Sequence, residues 1–310
     1  MRLTAVIPVY NEANNIASML DSLLNQRLTT STLVEAVVVS SGSTDSTPDI
    51  VRAKSAADPR VRLLTQDVRL GKAAALNAYL RERDPTCDLI LISSGDVLLQ
   101  PGFLDLLVRA FDDPKVGMCG GRPVPTNPRD GLVGRMVHFM WDLHHEIGLD
   151  EPKLGEAVAV RASLIAELPR ESPVDEASIE AQIASHGYRL HYVPEAVLAN
   201  RGPSNLRDFV KQRRRIAAGH YWLRETTGYE VSTLNVGRVV RRALKYPTFT
   251  NPVTDFAYVA AAGLEGVSRL LGYFDLKRGH SHAIWSIAES AHDTVAGDDQ
   301  AADQPKTANG

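Results

Sequence analysis

Leu3–Thr4–Ala5–Val6–Ile7–Pro8–Val9–Tyr10–Asn11–Glu12 decides how this chain is organised. An apolar, β-forming run, Leu3–Val9, leads through an aromatic, an amide and a carboxylate into Asn14–Asn25. There Ile16, Met19, Leu20, Leu23 and Leu24 recur at helical spacing. The same strand-then-helix unit repeats downstream. Leu33–Val39 precedes a helix over Thr47–Ala56, with Asp45 or Ser46 as its N-cap. Val61–Leu64 precedes Gly71–Arg83, and the apolar run Asp88–Ile92 precedes Gly102–Phe111. Strand–helix alternation of this kind predicts an α/β fold with a mostly parallel, doubly wound sheet. Ligands on such sheets sit beyond the carboxyl ends of the strands.

Further along, the pattern is mixed. Gly117–Pro123 reads as a strand and turn, Gly131–Ile147 as a helix, Glu156–Arg161 as a strand and Arg161–Glu167 as a helix. Asp175–His186 is helical, Arg189–Val193 a strand, and Leu206–Thr226 one long helix. Three segments follow: a catalytic-type α/β domain over 1–227, a helical region over 228–290 that is a candidate for membrane-interfacial contact, and a polar tail over 291–310 expected to be disordered.

Composition narrows the function classes. The 310 residues are 44% apolar and 23% charged with a net charge of -3, so no global basic field points to nucleic acid. Cys87 and Cys119 have no metal-ligand spacing and fit a reducing cytoplasm. The apolar run after Met1–Arg2 is too short for a signal peptide. The nearest candidate for a membrane span, Val253–Phe274, is interrupted by Asp255, Glu265 and Arg269. It reads as an amphipathic helix, and the basic Arg238, Arg241, Arg242 and Lys245 precede it. Peripheral attachment to the inner face of a membrane over 238–274 and packing on the catalytic core both fit this pattern.

Four strand ends carry chemistry. At the first, Pro8 is followed by Tyr10, which can stack on a base, and Glu12, which can accept from a base or ribose. At the second, Val37–Val38–Val39–Ser40–Ser41–Gly42–Ser43–Thr44–Asp45 offers hydroxyls and backbone N–H groups at a helix start, which suits ribose or phosphate oxygens. At the third, Gly71–Lys72 opens a helix, where a cation opposes the helix dipole but can reach a diphosphate. At the fourth, Leu91–Ile92–Ser93–Ser94–Gly95–Asp96 ends in a carboxylate placed to hold Mg²⁺ or Mn²⁺ together with substrate phosphates.

Taken in order, these four stretches resemble the inverting family 2 glycosyltransferases of the GT-A fold. Those enzymes show a Pro–x–Tyr–Asn–Glu strand end, an Asp–Asp–Gly–Ser–Thr–Asp turn, a Gly–Lys–x–x–Ala–Leu–Asn helix start and an Asp–x–Asp metal motif. The resemblance implies a Rossmann-like, mostly parallel sheet flanked by helices with a C-terminal helical extension. It implies a nucleoside-diphosphate sugar donor, expected to be UDP-linked, a divalent metal on Asp96, and a glycan or lipid-linked acceptor. Two positions depart from the pattern. Ser40–Ser41 replaces the Asp pair expected to read the base, and Ser94 replaces the first Asp of the metal motif, which predicts weaker metal affinity.

The likeness continues to about Arg224. Pro152–Lys153–Leu154–Gly155 and the strand after it resemble the acceptor-side strand. Asp175 and Glu176 resemble the acidic pair carrying the general base; Glu176 matches the base by position, and a slip of one residue exchanges the two roles. Gln212, Arg213, Arg214 and Arg215 resemble a Gln–x–x–Arg–Trp motif in which Ile216 replaces the aromatic, which argues against chain polymerisation. The arginines are expected to neutralise the leaving diphosphate. Asn200 stands where many relatives have a metal-binding His. His144, His145, His191 and His220 are candidates for acceptor contacts. Rival readings are weaker. A sugar-nucleotide pyrophosphorylase would carry a Gly-rich loop where Tyr10–Asn11–Glu12 stands, and a dehydrogenase would carry Gly-x-Gly-x-x-Gly. A non-catalytic sugar-nucleotide binder is compatible with the serine replacements.

Overall fold

In a computed structural model, which describes residues 1–246, 249–280, 282 and 284, the expected α/β architecture is present. The chain opens with β1 (Arg2–Val9), α1 (Ile16–Leu24), β2 (Thr32–Ser41), α2 (Thr47–Ala57), β3 (Val61–Gln66) and α3 (Lys72–Glu82). It continues with β4 (Leu89–Ser93), β5 (Val97–Leu99), α4 (Phe103–Arg109), β6 (Val116–Pro125), α5 (Leu132–Gly148) and β7 (Ala157–Arg161). It closes with α6 (Asp175–Ser185), β8 (Arg189–Asn200), α7 (Leu206–Thr227), α8 (Val236–Ala243) and α9 (Pro252–Lys277). One eight-stranded sheet runs in the order β3-β2-β1-β4-β7-β6-β8-β5. The first half, β3-β2-β1-β4, is parallel, and β7 then runs antiparallel between β4 and β6.

Burial on both sheet faces explains the unbroken apolar runs. Along β1, Leu3, Ala5 and Ile7 pack with Ile16, Met19 and Leu20 of α1 in one layer. Val6 packs on the other side with Leu76 and Tyr79 of α3. A third cluster joins α5, α7 and α9: Phe139 stacks on Tyr258 at 4.7 Å between ring centroids, among Met136, Phe209, Ala257 and Ala261. Gly272 lets α9 lie against α7, since a Cβ there would meet the Arg214 carbonyl oxygen at 2.7 Å and the Ala218 nitrogen at 2.8 Å. Among the described residues, no helix is long and apolar enough to cross a membrane.

Several local expectations change. Arg161–Glu167 is not a helix; a single 3₁₀ turn, Ala162–Leu164, is all that forms. The buried Asn77 side chain on α3 accepts from the Leu168 N–H and donates to its carbonyl, both at 2.8 Å, and so holds this segment extended. Gly117–Pro123 belongs to a ten-residue strand, β6. Beyond Gly120 only β8 pairs with it, so Pro123 and Pro125 break no ladder. β8 runs on to Asn200, and β5 was too short to be seen in the pattern. The N-cap position of α2 is Ser46, with no side-chain bond from it; Asp45 instead accepts from the Thr47 N–H at 3.0 Å. The expectation of a disordered tail over 291–310 lies outside the described residues.

Candidate active site

The parallel strands end on one side of the sheet, and their tips are tied together by side chains. Asn11, in the left-handed region at φ 54°, accepts from the Thr44 N–H at 2.8 Å. The Glu12 N–H donates to the Thr47 hydroxyl at 2.8 Å, and the Ala13 N–H to Asp45 at 3.1 Å. The β1 and β2 turns are thus one unit. The third turn joins it through the Leu70 N–H, which donates to Ser41 Oγ at 3.1 Å. The fourth is fixed by Gly95: a Cβ there would meet Val9 Cγ1 at 2.7 Å and Glu12 Cγ at 3.3 Å. The Ser94–Gly95–Asp96 turn therefore needs glycine at its centre to sit against the first motif.

Beyond these tips lies one cavity of about 1140 Å³. Its wall contains Pro8, Tyr10, Glu12, Ser41, Lys72, Asp96, Gly155, Asp175, Glu176, Gln212 and all three arginines, Arg213, Arg214 and Arg215. Ser40 is not in the wall; its hydroxyl is spent on Ser43 at 2.9 Å inside the turn. Arg69, which the sequence did not single out, places its guanidinium 3.9 Å from the centroid of the Tyr10 ring, so one face of that ring is covered.

Lys72 and Glu176 form an ion pair across the cavity, with side-chain exposures of 17% and 20%. Burial disfavours the ammonium, but the carboxylates of Glu176 and then Asp175 outweigh it and hold Lys72 charged. Burial also acts on Glu176, yet the charge and hydrogen bond of Lys72 bring its carboxyl down to about 2. Asp175 behaves oppositely: burial pushes it up to about 7 against the pull of Lys72, and its Oδ1 is buried with no hydrogen-bond partner. Glu156 completes the group. It sits in the left-handed region at φ 63°, and burial, then the negative charge of Asp96 and Glu176, raise it to about 7.

The three arginines divide. Arg213 on α7 is held bidentately by Glu265 of α9, at 2.6 and 3.1 Å, and Arg269 joins the same carboxylate at 2.8 Å. Arg214 is held by Asp275 at 2.6 and 2.5 Å. Arg215 alone turns to the acidic group; it donates to the Pro173 carbonyl at 3.3 Å and faces Asp175, Glu176 and Glu156. Two of the three cations expected at a diphosphate are therefore already engaged by α9. Of the histidines, His144 and His220 line the cavity, and burial holds both neutral. His145 bonds the Tyr192 hydroxyl at 2.9 Å, and His191 is exposed outside the cavity.

The oxygen donors fit a divalent cation. Asp96 lies in the cavity, and Asn200 is 5% exposed with its Oδ1 buried and lacking a partner. Among the described residues no group of three or more His, Cys, Asp or Glu is arranged to hold a metal ion by itself. A site of this kind is completed by substrate phosphates, as is usual for Mg²⁺.

A profile of glycosyl transferase family 2 matches residues 4–161, the segment that builds the four strand tips. The chain belongs to glycosyl transferase family 2. A second profile, glycosyl transferase family group 2, matches residues 89–276 and so takes in α7 and most of α9. This family 2 chain is similar to an N-acetylglucosaminyltransferase of Rhizobium sp. (strain N33), 26% identical, over 71% of this chain and 52% of the relative. It is similar to glycosyltransferase AglE of Haloferax volcanii, 30% identical over 50% of each. The chain thus spans about half the length of the curated relatives it matches. Among solved structures, mannosyltransferase PcManGT of Pyrobaculum calidifontis, in complex with GDP-Man and Mn²⁺, aligns with a TM-score of 0.56 at 25% identity, covering 93% of this chain and 77% of that one. The S. aureus TarS 1-349 structure shares the fold, with a TM-score of 0.51 at 16% identity over 90% and 92% of the two chains. The GT-A arrangement, a mostly parallel sheet flanked by helices, is common to all three.

One buried carboxyl beside the site gives a stability prediction. Glu180 is fully buried, accepts from the Leu154 N–H at 2.6 Å, and is raised by burial to about 7. Its folded pKa lies above its unfolded one, so the stability it confers is complete below about pH 4.5 and is lost as pH rises through about 7. In Glu180→Gln that loss disappears while the amide oxygen still accepts from Leu154. Thermal melts from about pH 5 to about pH 8 are expected to fall less for the variant, with a difference on the order of 3 kcal/mol at the alkaline end. Parallel slopes for the two proteins would contradict this.

Proposed function

We propose that this family 2 chain transfers a sugar from a nucleoside-diphosphate sugar, UDP-linked by the sequence resemblance, to a hydroxyl of a lipid-linked acceptor with inversion at the anomeric carbon. The observation that carries this reading is the convergence of Tyr10, Glu12, Lys72, Asp96 and Glu176 on one cavity, large enough for donor and acceptor together. In this reading the uncovered face of Tyr10 and the carboxylate of Glu12 take the nucleoside, and Lys72 meets the diphosphate. Asp96 would hold a divalent cation, which when bound supplies Lewis-acid stabilisation of the leaving diphosphate. The acceptor oxygen attacks the anomeric carbon while Glu176 takes its proton. The bond to the diphosphate breaks, and its electron pair leaves on the phosphate oxygen, opposite Lys72 and Arg215.

Glu176 is the better base of the acidic pair because it is the more accessible of the two in the cavity wall and shares a cation with the diphosphate position. Asp175, also in the wall, is only 5% exposed and helps keep Lys72 and Arg215 in place. Before donor arrives, Lys72 neutralises Glu176. A diphosphate competing for Lys72 would release the carboxylate for proton abstraction.

The far end of the cavity supports a lipid-linked acceptor. Val137 and Phe139 of α5, Val210 of α7, Val239 and Val240 of α8, and Leu270 of α9 line it. Just past α8, which lends Val239, Val240 and Ala243 to the cavity wall, the apolar side chains of Leu244 and Phe249 are 74% and 89% exposed. Arg238 and Arg242, expected at lipid headgroups, instead pair with Glu151, Glu146 and Asp150. Arg241 and Lys245 remain exposed beside the apolar surface, which suits an anionic membrane. Sedimentation with anionic vesicles is expected for the full chain and should fall at least several-fold in Leu244→Asp; equal sedimentation would remove the membrane from this account.

The reading as a whole is tested by nucleoside diphosphate release from UDP- and GDP-sugars, with a glycolipid extract as acceptor. Release that grows with acceptor, and a product of opposite anomeric configuration to the donor, is the expected result. Tight donor binding with no turnover under any acceptor would make the chain a binder.

A further inference from the structure

The carboxylate missing from the fourth motif has a replacement one strand away. β4 and β7 are antiparallel with Ser93 opposite Ala157. The next pair outward is therefore Ser94 and Glu156, and the Ser94 N–H donates to the Glu156 carbonyl at 2.9 Å. Serine stands where the family pattern has an acid, and the residue directly across the ladder is an acid. On the other side of Asp96, β5 and β8 pair with Val97 opposite Asn200. The two ladders thus place Glu156 and Asn200 on either side of the Asp96 turn, and all three residues line the cavity.

We propose that Glu156 supplies the second carboxylate for the donor's divalent cation and that Asn200 adds its amide oxygen, so that with Asp96 they form an oxygen-only site spread over three strands. The proposal rests on reading the cavity as a nucleotide-sugar site. One feature supports it independently of the acidic grouping. The Asn200 Oδ1 is an acceptor without a donor in a residue more than nine-tenths buried, and a cation is the partner that would satisfy it. Lys72, Lys153 and Arg215 are cations whose charge reaches Glu156, and Lys72 is itself paired with Glu176. An oxygen-only donor set has a corollary for metal choice. It lacks the imidazole that favours transition metals, so Mg²⁺ should serve nearly as well as Mn²⁺.

The test is direct metal binding by the 310-residue chain, read as loss of the free Mn²⁺ electron paramagnetic resonance signal, with Mn²⁺ alone and with UDP or GDP added. Mg²⁺ is measured by competition. Glu156→Gln is expected to weaken Mn²⁺ binding by about tenfold or more, because affinity in such sites follows the count of charged oxygen ligands. The exchange Ser94→Asp with Glu156→Ser moves the carboxylate back across the ladder and should restore affinity to within about threefold. Asn200→His should tilt the Mn²⁺ to Mg²⁺ ratio toward Mn²⁺, a shift that a purely structural role would not produce. If Glu156→Gln and the exchange variant both bind as wild type while Asp96→Asn abolishes binding, Glu156 is no ligand and the nucleotide-sugar reading stands. If Asp96→Asn also binds normally, the nucleotide-sugar reading falls with the proposal. Should Glu156→Gln not fold, Glu156→Ser alone against the exchange variant carries the same comparison.

Discussion

Glu176→Gln is expected to lower sugar transfer by roughly 10²- to 10⁴-fold, the range supplied by a positioned general base. The amide is isosteric but cannot accept the acceptor's proton. Donor affinity should change little, because Lys72 remains beside Asp175 and becomes freer to meet the diphosphate. The loss therefore belongs in kcat, with the donor KM constant or lower. Asp175→Asn is expected to cost less, since in the proposed mechanism Asp175 acts through Lys72 and Arg215 rather than on the acceptor. A pH profile sharpens the distinction. Lys72 is what brings Glu176 down to about 2, so Lys72→Met leaves burial as the dominant influence and moves the acid limb of kcat/KM upward. Initial-rate measurements on the three variants decide the matter. A near-normal rate for Glu176→Gln together with a large loss for Asp175→Asn would exchange the two roles.

The second large effect lies on α9. Glu265 is 8% exposed and binds two guanidinium groups, Arg213 from α7 and Arg269 from its own helix. Glu265→Ala would leave two partly buried arginines, with side chains 22% and 16% exposed, without their shared counter-charge. Removing one partner of such a buried arrangement costs about 3–5 kcal/mol. Denaturant unfolding should show that loss as a lower midpoint, and donor affinity should change as well, because Arg213 lines the cavity. Glu265→Gln, which retains one acceptor oxygen, should cost less than alanine. A loss below about 1 kcal/mol, typical of an exposed ion pair, would mean that α9 is only loosely attached to α7.

These two predictions come from opposite ends of what the sequence could convey. The strand tips were legible because strand and helix periodicities alternate cleanly through Phe111, and because each tip carries a side chain that a strand-end turn does not need. Tyr10, Glu12, Lys72 and Asp96 were therefore identifiable, and the structure places all four in one cavity wall. Pairings at long separation were not legible. Arg213 meets Glu265 from 52 residues away and Arg214 meets Asp275 from 61, so nothing local distinguishes them from Arg215. Glu156 was passed over because it begins an ordinary apolar strand; its meaning depends on the antiparallel register that sets it across from Ser94. The segment after Arg161 was misread for the same reason. Its helical pattern is local, while the Asn77 side chain that overrides it is 91 residues from Leu168.

The most direct test of the central claim, that the strand tips grip a sugar-linked diphosphate around Asp96, is calorimetric titration of the full chain with UDP and GDP, with and without Mg²⁺. One nucleotide is expected to bind in the micromolar range only when metal is present, and Asp96→Asn should weaken it by at least about 100-fold, the loss expected when the single metal-holding carboxylate of the turn is removed. Binding that ignores both the metal and Asp96, or no binding of either nucleotide to a folded chain, would contradict the account.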